Sequence, residues 1–571
     1  MKITVIAFSL LYLNIATSSA AIFLKNKTTK ILIEKCNIKS NSNFVEEISV
    51  TAKQMKCLSH YQRKKNLSPA NIFRNFTINA NREISTSPSL EDEKVFALAK
   101  KEFGLPLFWK KYPLYDGRGV ITGVIDDGIS PHHSGFRKTT TGDRKYIGHF
   151  SHSSAFKFTL TENTTTEINL DGEKLTPNYI VVFDEKKFRR DYNGDSQKTE
   201  LVFAVIAKGN EGLMCHDLDL DGIYQSNDCQ RSFSKSGEYG SWSKDLIVPL
   251  MAEIDLSEKI LQINQGEWRG DSHGEGVASV MAGHQIFGKY DGVAPGAQIL
   301  DYDLSELSFV PDENAYTIGK FLKGISTLAE NGAEVINMSY SFYFHSAESQ
   351  KAMSQALNAL IDHYKVLLVF SAGNNGPGLG SMNRSLIYPR NSLVAGAYIS
   401  KEMDSLVHGA TGIDEQGQIV YYSSRGPGGD YGMGPSVISP LASITHGDAE
   451  SPARSFSGTS SAAPALAGFS AVLMSAIKQE GLKIDISSVV AAVKYSGKML
   501  ENTPFVFQGF GLPQIEKALE LYKKIQLGKL PREAVIGSTQ LPRRDGVTSM
   551  GRLIRLEDAP SFEEMRLSVF G

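Results

Sequence analysis

The sequence predicts an α/β protein, a three-layer, doubly wound and mostly parallel sheet. Three observations predict it. Residues 120–125 and 366–370 are short apolar, β-branched runs without polar alternation, as in strands covered on both faces. Helical patterns separate such runs from residue 298 to 370, the alternation of βαβ units. Finally, Ser457-Gly458-Thr459-Ser460-Ser461-Ala462-Ala463-Pro464 precedes the apolar run 465–477. It reads as a strand, a tight turn and a buried helix opening at Ser460, with Pro464 in the first turn.

At 571 residues the chain can bury a large core. Apolar content of 41% and charged content of 21% are ordinary for a globular protein. A net charge of -2 removes any bulk electrostatic argument for nucleic acid or an anionic membrane.

Met1-Lys2, an apolar run over 3–13 and the small residues Ser18-Ser19-Ala20 read as a secretory signal cleaved after Ala20. The expectation is a secreted or periplasmic protein, free of the membrane after cleavage. In an exported chain the close spacings suggest the pairs Cys36–Cys57 and Cys215–Cys229. Residues 21–83 hold twelve Lys or Arg against four Glu, and a linker-like run ends at Asp92. Segment 21–92 reads equally as a pro-segment or as a simple extension.

An amphipathic helix is expected over 93–101. Strand 120–125 ends in Asp126-Asp127-Gly128, which puts a carboxylate where α/β folds place their sites. Asp127 reads as a solvated loop carboxylate. Residues from about 145 to 268 form a polar strand-and-loop insertion. Within it Asp217, Asp219 and Asp221 alternate before Gly222, with Asp228 further on. The pattern is that of a structural calcium loop or of a solvated acidic turn. No cofactor is required for the chemistry considered below.

His273, flanked by Ser272 and Gly274, opens a second small-residue helix that runs to Gly283. A strand follows at 298–302, a helix at about 315–331, a strand at 334–338 ending in Ser339, a helix at 349–364 and the strand 366–370. Ser371-Ala372-Gly373-Asn374 closes that last strand. Asp126, Asn374 and the Ser339 segment thus end strands, while His273 and Ser460 open helices, so all can meet along one sheet edge. The main domain is expected over 93–525, with a short tail over 526–571.

The ordered stretches Val124-Ile125-Asp126-Asp127-Gly128, His273-Gly274, Gly292-Val293-Ala294-Pro295, Ala372-Gly373-Asn374 and Gly458-Thr459-Ser460 resemble the subtilisin-like serine proteases, peptidase family S8. Tyr115-Asp116-Gly117-Arg118-Gly119-Val120 and Ser423-Ser424-Arg425-Gly426-Pro427 resemble the tripeptidyl peptidase II branch in particular, as does the long insertion. The resemblance spans about 97–522. It implies Ser460 as nucleophile, His273 as general base and Asp126 as the group that orients the imidazole. It implies the Asn374 amide and the Ser460 N–H as oxyanion donors. Ser339, Tyr340 and Ser341, with Ser371, Ala372 and Gly373, resemble the two segments that pair with an extended peptide or protein substrate.

The chain departs from the family where Leu-Gly-Gly is familiar, carrying Tyr340-Ser341-Phe342. Glu275-Gly276 stands where Thr-His is usual, a change expected not to touch the proton relay. The exopeptidase branch uses two glutamates to hold a free amino terminus. One matches Glu313, whereas Phe342 stands at the other. The expectation is an exported endopeptidase. The alternatives are a tripeptidyl aminopeptidase and, from another class, a non-catalytic binding or inhibitory protein on the same scaffold. Oligomeric state is not legible.

Overall fold

The computed structural model describes residues 99–528, apart from 152–155, 186–199, 219–220, 243–248, 266–271, 287, 289, 305–317, 343–346, 383–388, 390, 409–412, 429–433, 442 and 447–452; it also describes strands at 18–24, 45–51, 72–74, 78–79, 539–542 and 548–551. Its central sheet contains β1 (Ile121–Asp126), β2 (Tyr146–Ser151), β3 (Gln298–Asp303), β4 (Val335–Met338), β5 (Leu367–Ser371), β6 (Ser392–Ile399), β7 (Gln418–Ile419) and β8 (Val437–Pro440). The order is β7-β6-β5-β4-β1-β3-β2, with β8 also on β6. Every pairing is parallel except β6 with β7. β1 lies between β3 and β4, so the winding changes direction at β1. A crevice opens at the carboxyl ends of strands where the order reverses in this way.

Helix α1 (His273–Ala282) packs on β1, and α4 (Thr459–Gln479) packs on β4, β5, β6 and β8. The two helices also pack on each other. Helix α2 (Ile318–Glu330) lies over β1, β2 and β3, with α3 (Ala347–Tyr364) beside it. Strand alternation separates the faces. A Cβ at Gly123 would meet Leu328 of α2, whereas Asp126, an odd number of residues on, reaches His273 of α1. The expected helices and buried strands of the main domain are therefore present, within a few residues of the expected bounds.

Gly468 sets how closely α1 and α4 approach. A Cβ there would lie 2.5 Å from the Met281 carbonyl oxygen and 2.7 Å from Val293 Cβ. Because both helices begin at candidate site residues, this contact fixes the spacing between His273 and Ser460. α4 is long and apolar enough to cross a membrane, but its apolar stretch is wholly buried inside the fold.

One boundary differs from expectation. β2 belongs to the main sheet, so the insertion begins after Ser151 and not at residue 145. β2 is an edge strand with both buried and half-buried positions, so it lacks the continuous apolar run of β1 or β5. Near the amino terminus, residues 99–102 are helical as expected, while 93–98 lie outside the described residues. A second helix, Leu105–Lys111, follows Gly104, whose φ of 76° lets the chain turn between them.

The insertion packs a five-stranded sheet against a four-stranded one, around Phe156, Phe183, Phe203, Trp242 and Leu261. That core is separate from the core of the main sheet. Cys215 and Cys229 are register partners and form a disulfide. The expected Cys36–Cys57 pair lies outside the described residues. Strand Ser18–Leu24 pairs antiparallel with Val45–Thr51 and Ile72–Arg74, and the expected cleavage point after Ala20 falls inside it. Ile78–Asn79 pairs with Ser341–Phe342. The tail holds a hairpin of Thr539–Pro542 with Thr548–Gly551.

His216 is a buried polar group in the insertion core, its ring 4.8 Å from that of Phe203. Burial lowers its pKa from 6.5 to about 4, against a smaller opposing pull from the Ser241 backbone. Between those values the unfolded chain binds a proton that the folded insertion does not. The stability supplied by neutral His216 is therefore whole above pH 6.5 and is lost as pH falls toward 4. His216→Leu should flatten thermal stability across that window, a change of up to about 3 kcal/mol. A wild-type acid slope that survives the substitution would assign it to other groups.

Candidate active site

Asp126 ends β1 and is 1% exposed. Its Oδ1 accepts the His273 Nδ1–H at 2.8 Å and the Asp127 N–H at 3.0 Å. His273 is the first residue of α1, with Ser272 as its cap. The Ser272 hydroxyl accepts the Glu275 N–H at 3.0 Å and donates to the Gly128 carbonyl at 2.8 Å. Glu275 reaches back to the Ser272 N–H and accepts the Ser130 N–H at 3.1 Å, closing a capping box. Gly274 is required by space, since a Cβ would lie 2.5 Å from the Gly128 carbonyl oxygen.

The structure corrects one expectation and adds to another. Asp127 is not a solvated loop carboxylate: it is 9% exposed, and its Oδ1 accepts the Gly274 N–H at 2.7 Å. Its Oδ2 accepts the His273 N–H at 3.4 Å, so it binds the first orphan donors of α1. Glu275, expected not to touch the proton relay, bonds backbone amides of Ser130 and Ser272; it is fully buried and holds the helix end that carries His273. The imidazole also meets two rings, Phe456 at 5.3 Å in a T-shaped contact and Tyr340 at 6.3 Å. Sequence reasoning missed Phe456. It ends strand Ala453–Phe456, and nothing local marks its partner on α1.

Ser460 follows a turn at Gly458, where φ is 94°, and is 2% exposed. Among the described residues its hydroxyl has no hydrogen-bond partner. Pro464 lies inside α4, past the expected first turn. Its missing N–H leaves the Ser460 carbonyl without its helical partner. The Ser339 hydroxyl donates to that carbonyl at 3.1 Å, while accepting from Asn337 Nδ2 at 3.0 Å. The proline that weakens the helix thus ties the Ser460 backbone to the Ser339 segment.

Asn374 Oδ1 accepts both the N–H and the hydroxyl of Thr459, at 3.0 and 2.7 Å. With its carbonyl end held, Asn374 Nδ2 is buried without a partner among the described residues, an amide donor beside the start of α4. The Thr459 hydroxyl in turn accepts the Gly373 N–H at 3.1 Å, and Tyr422 accepts the Gly458 N–H at 3.1 Å.

The expected substrate residues divide. Ser339 adjoins Ser460, whereas the Tyr340 side chain is 2% exposed and turns under the site toward Asp126. The Ser341 backbone pairs with Asn79. Ser371 and Ala372 are buried at the end of β5. The Ala372 N–H bonds to Ala395, and the Gly373 carbonyl accepts the Ser424 N–H, so this second segment already spends groups on the fold. Glu313 and Asp219 lie outside the described residues. In the acidic loop Asp217 accepts the Gly222 N–H at 2.9 Å and Asp221 accepts the Ile223 N–H at 2.7 Å. Asp228 is the last residue of the short 3-10 helix Ser226–Asp228, just before Cys229. Among the described residues no cluster of three His, Cys, Asp or Glu could hold a metal ion.

A buried carboxylate on an imidazole, a serine at a helix start and a fixed amide donor meet at one sheet edge. The Subtilase family profile (Peptidase_S8) matches residues 117–494. The chain belongs to the subtilase family of serine-type peptidases. Pyrolysin of Pyrococcus furiosus is 25% identical over 513 residues, covering 73% of this chain and 36% of that protein. Tripeptidyl-peptidase 2 of Caenorhabditis elegans is 24% identical over 512 residues, covering 76% and 37%. The crystal structure of tripeptidyl peptidase 2 superposes with a TM-score of 0.54 at 20% identity, over 74% of this chain and 38% of that one. This likeness shows the subtilisin-like fold. The chain spans a little over a third of the length of these relatives.

Asp127→Ala removes an acceptor shared by the His273 and Gly274 amides. It should lower stability by about 1 kcal/mol and peptidase kcat by roughly tenfold as His273 loses the anchor of its backbone. Unchanged melting and turnover would return Asp127 to a passive loop role.

Proposed function

We propose that this chain is an exported serine peptidase that cleaves internal bonds of peptides or proteins through an acyl-enzyme. The observation that carries the reading is the 2.8 Å bond from His273 Nδ1 to buried Asp126, on a helix packed against the one that Ser460 opens. In this reading Ser460 Oγ attacks the scissile carbonyl while His273 Nε2 takes its proton. Asp126 holds the tautomer and stabilises the imidazolium. Asn374 Nδ2 and the Ser460 N–H receive the oxyanion, aided by the positive end of α4. His273 then protonates the leaving amine. Water, deprotonated by the same imidazole, hydrolyses the ester and restores Ser460.

Internal cleavage is favoured over tripeptide release because Phe342 stands where the exopeptidase branch carries one of its two amino-terminus-binding glutamates. The N-terminal segment reads as a pro-segment. Its Ile78–Asn79 strand occupies the backbone edge of Ser341–Phe342, next to where an extended substrate would pair. Export rests on the signal-like residues 1–20. The bonds inside the acidic loop favour a closed turn over a calcium cradle, and a melting temperature unmoved by chelator is the expected outcome.

The test is to incubate purified protein with a defined peptide mixture and sequence the products. Internal cuts that vanish in Ser460→Ala are expected. Uniform tripeptides from amino termini would replace the endopeptidase reading with the exopeptidase one. No products from chain freed of residues 1–92 would contradict both.

A further inference from the structure

Tyr340 stands where the family pattern has leucine, a residue with nothing to donate. Its hydroxyl donates to Asp126 Oδ1 at 3.4 Å, the same oxygen that accepts from His273 Nδ1 at 2.8 Å and from the Asp127 N–H at 3.0 Å. The hydroxyl contact is the longest of the three. Tyr340 is 2% exposed and Asp126 1%, so the contact is shielded from water, where a hydrogen bond to a charged oxygen has more weight. Asp126 Oδ2 has no partner among the described residues, so the bonds that restrain this carboxylate converge on Oδ1. Beyond the bond, the Tyr340 ring lies 6.3 Å from the imidazole, which also meets Phe456 at 5.3 Å.

We propose that Tyr340 is a positioning residue of the proton relay: its hydroxyl holds the Asp126 carboxylate against His273 and tempers the charge that the imidazole feels. The inference rests on the Asp126–His273–Ser460 reading above. It gives the side chain of Tyr340 a part that its backbone, in the expected substrate segment, does not share. The titratable groups around Asp126 are His273 and Glu275 on α1, Asp127 beside it, and Asp303, its register partner on β3. Of these, Asp127 and Glu275 are bonded to backbone amides, which leaves the tyrosine hydroxyl as the side-chain donor that shares the His273 oxygen.

Without the hydroxyl, more of the Asp126 charge faces the imidazole. The imidazolium is then better stabilised and releases its proton at higher pH. The measurement is the second-order rate of Ser460 labelling by a fluorophosphonate probe as a function of pH. In Tyr340→Phe the acid limb should move up by about half a pH unit, and the plateau should fall roughly three- to tenfold as the carboxylate loses its orientation. Tyr340→Leu, which restores the family residue, should shift the limb in the same direction. An unchanged limb in either folded variant, with or without a lower melting temperature, would make Tyr340 a packing residue and overturn the inference. A wild type labelled at no pH removes the relay reading itself, and this inference with it.

Discussion

The bond between His273 Nδ1 and Asp126 Oδ1 is the contact on which the rest of the site depends. It joins the end of a central strand to the start of a buried helix. Neither end is left to side-chain rotamers alone. Asp127 takes the backbone amides of His273 and Gly274, while Ser272 and Glu275 cap the same turn. The imidazole is therefore held through its ring, its backbone and its helix. Restraint of this kind is what the proposed proton relay requires, since misplacement by about an ångström costs rate.

Ser460 is placed by a comparable set of constraints acting through α4. Gly468 admits α4 against Met281 and Val293, so the two helix starts are brought into register by packing far from either side chain. Pro464 breaks one helical bond and Ser339 uses the carbonyl it frees. Thr459 holds Asn374 by its carbonyl end, which aims the amide at the site. Each device exchanges a local irregularity for a long-range restraint. Similar exchanges are expected where a fold must present a polar site at its buried edge.

Much of this was legible in the sequence because it was local. β1 and β5 announced themselves as unbroken apolar runs, and α1 and α4 as small-residue helices behind Gly and Ser. The order of Asp126, His273, Asn374 and Ser460 then implied their meeting. Other features depend on partners far away along the chain. Asp127 looked like a solvated neighbour of Asp126 because its ligands lie 146 and 147 residues on. Tyr340 read as a backbone segment because the acceptor of its hydroxyl is 214 residues distant. The rule that places Pro464 in a first turn counts its missing N–H and overlooks the carbonyl it liberates. The sequence of β2 merges with the insertion because an edge strand has no face-to-face apolar signature.

The central claim is that Asp126 and His273 activate Ser460 and no other serine. It is tested most directly by treating the chain, freed of residues 1–92, with a fluorophosphonate and mapping the adduct by peptide mass spectrometry. The account predicts one stoichiometric adduct, on Ser460, whose formation slows by at least about a hundredfold in His273→Ala, the scale expected for losing the general base. An adduct on a different serine, or equal labelling of Ser460 with and without His273, would contradict it.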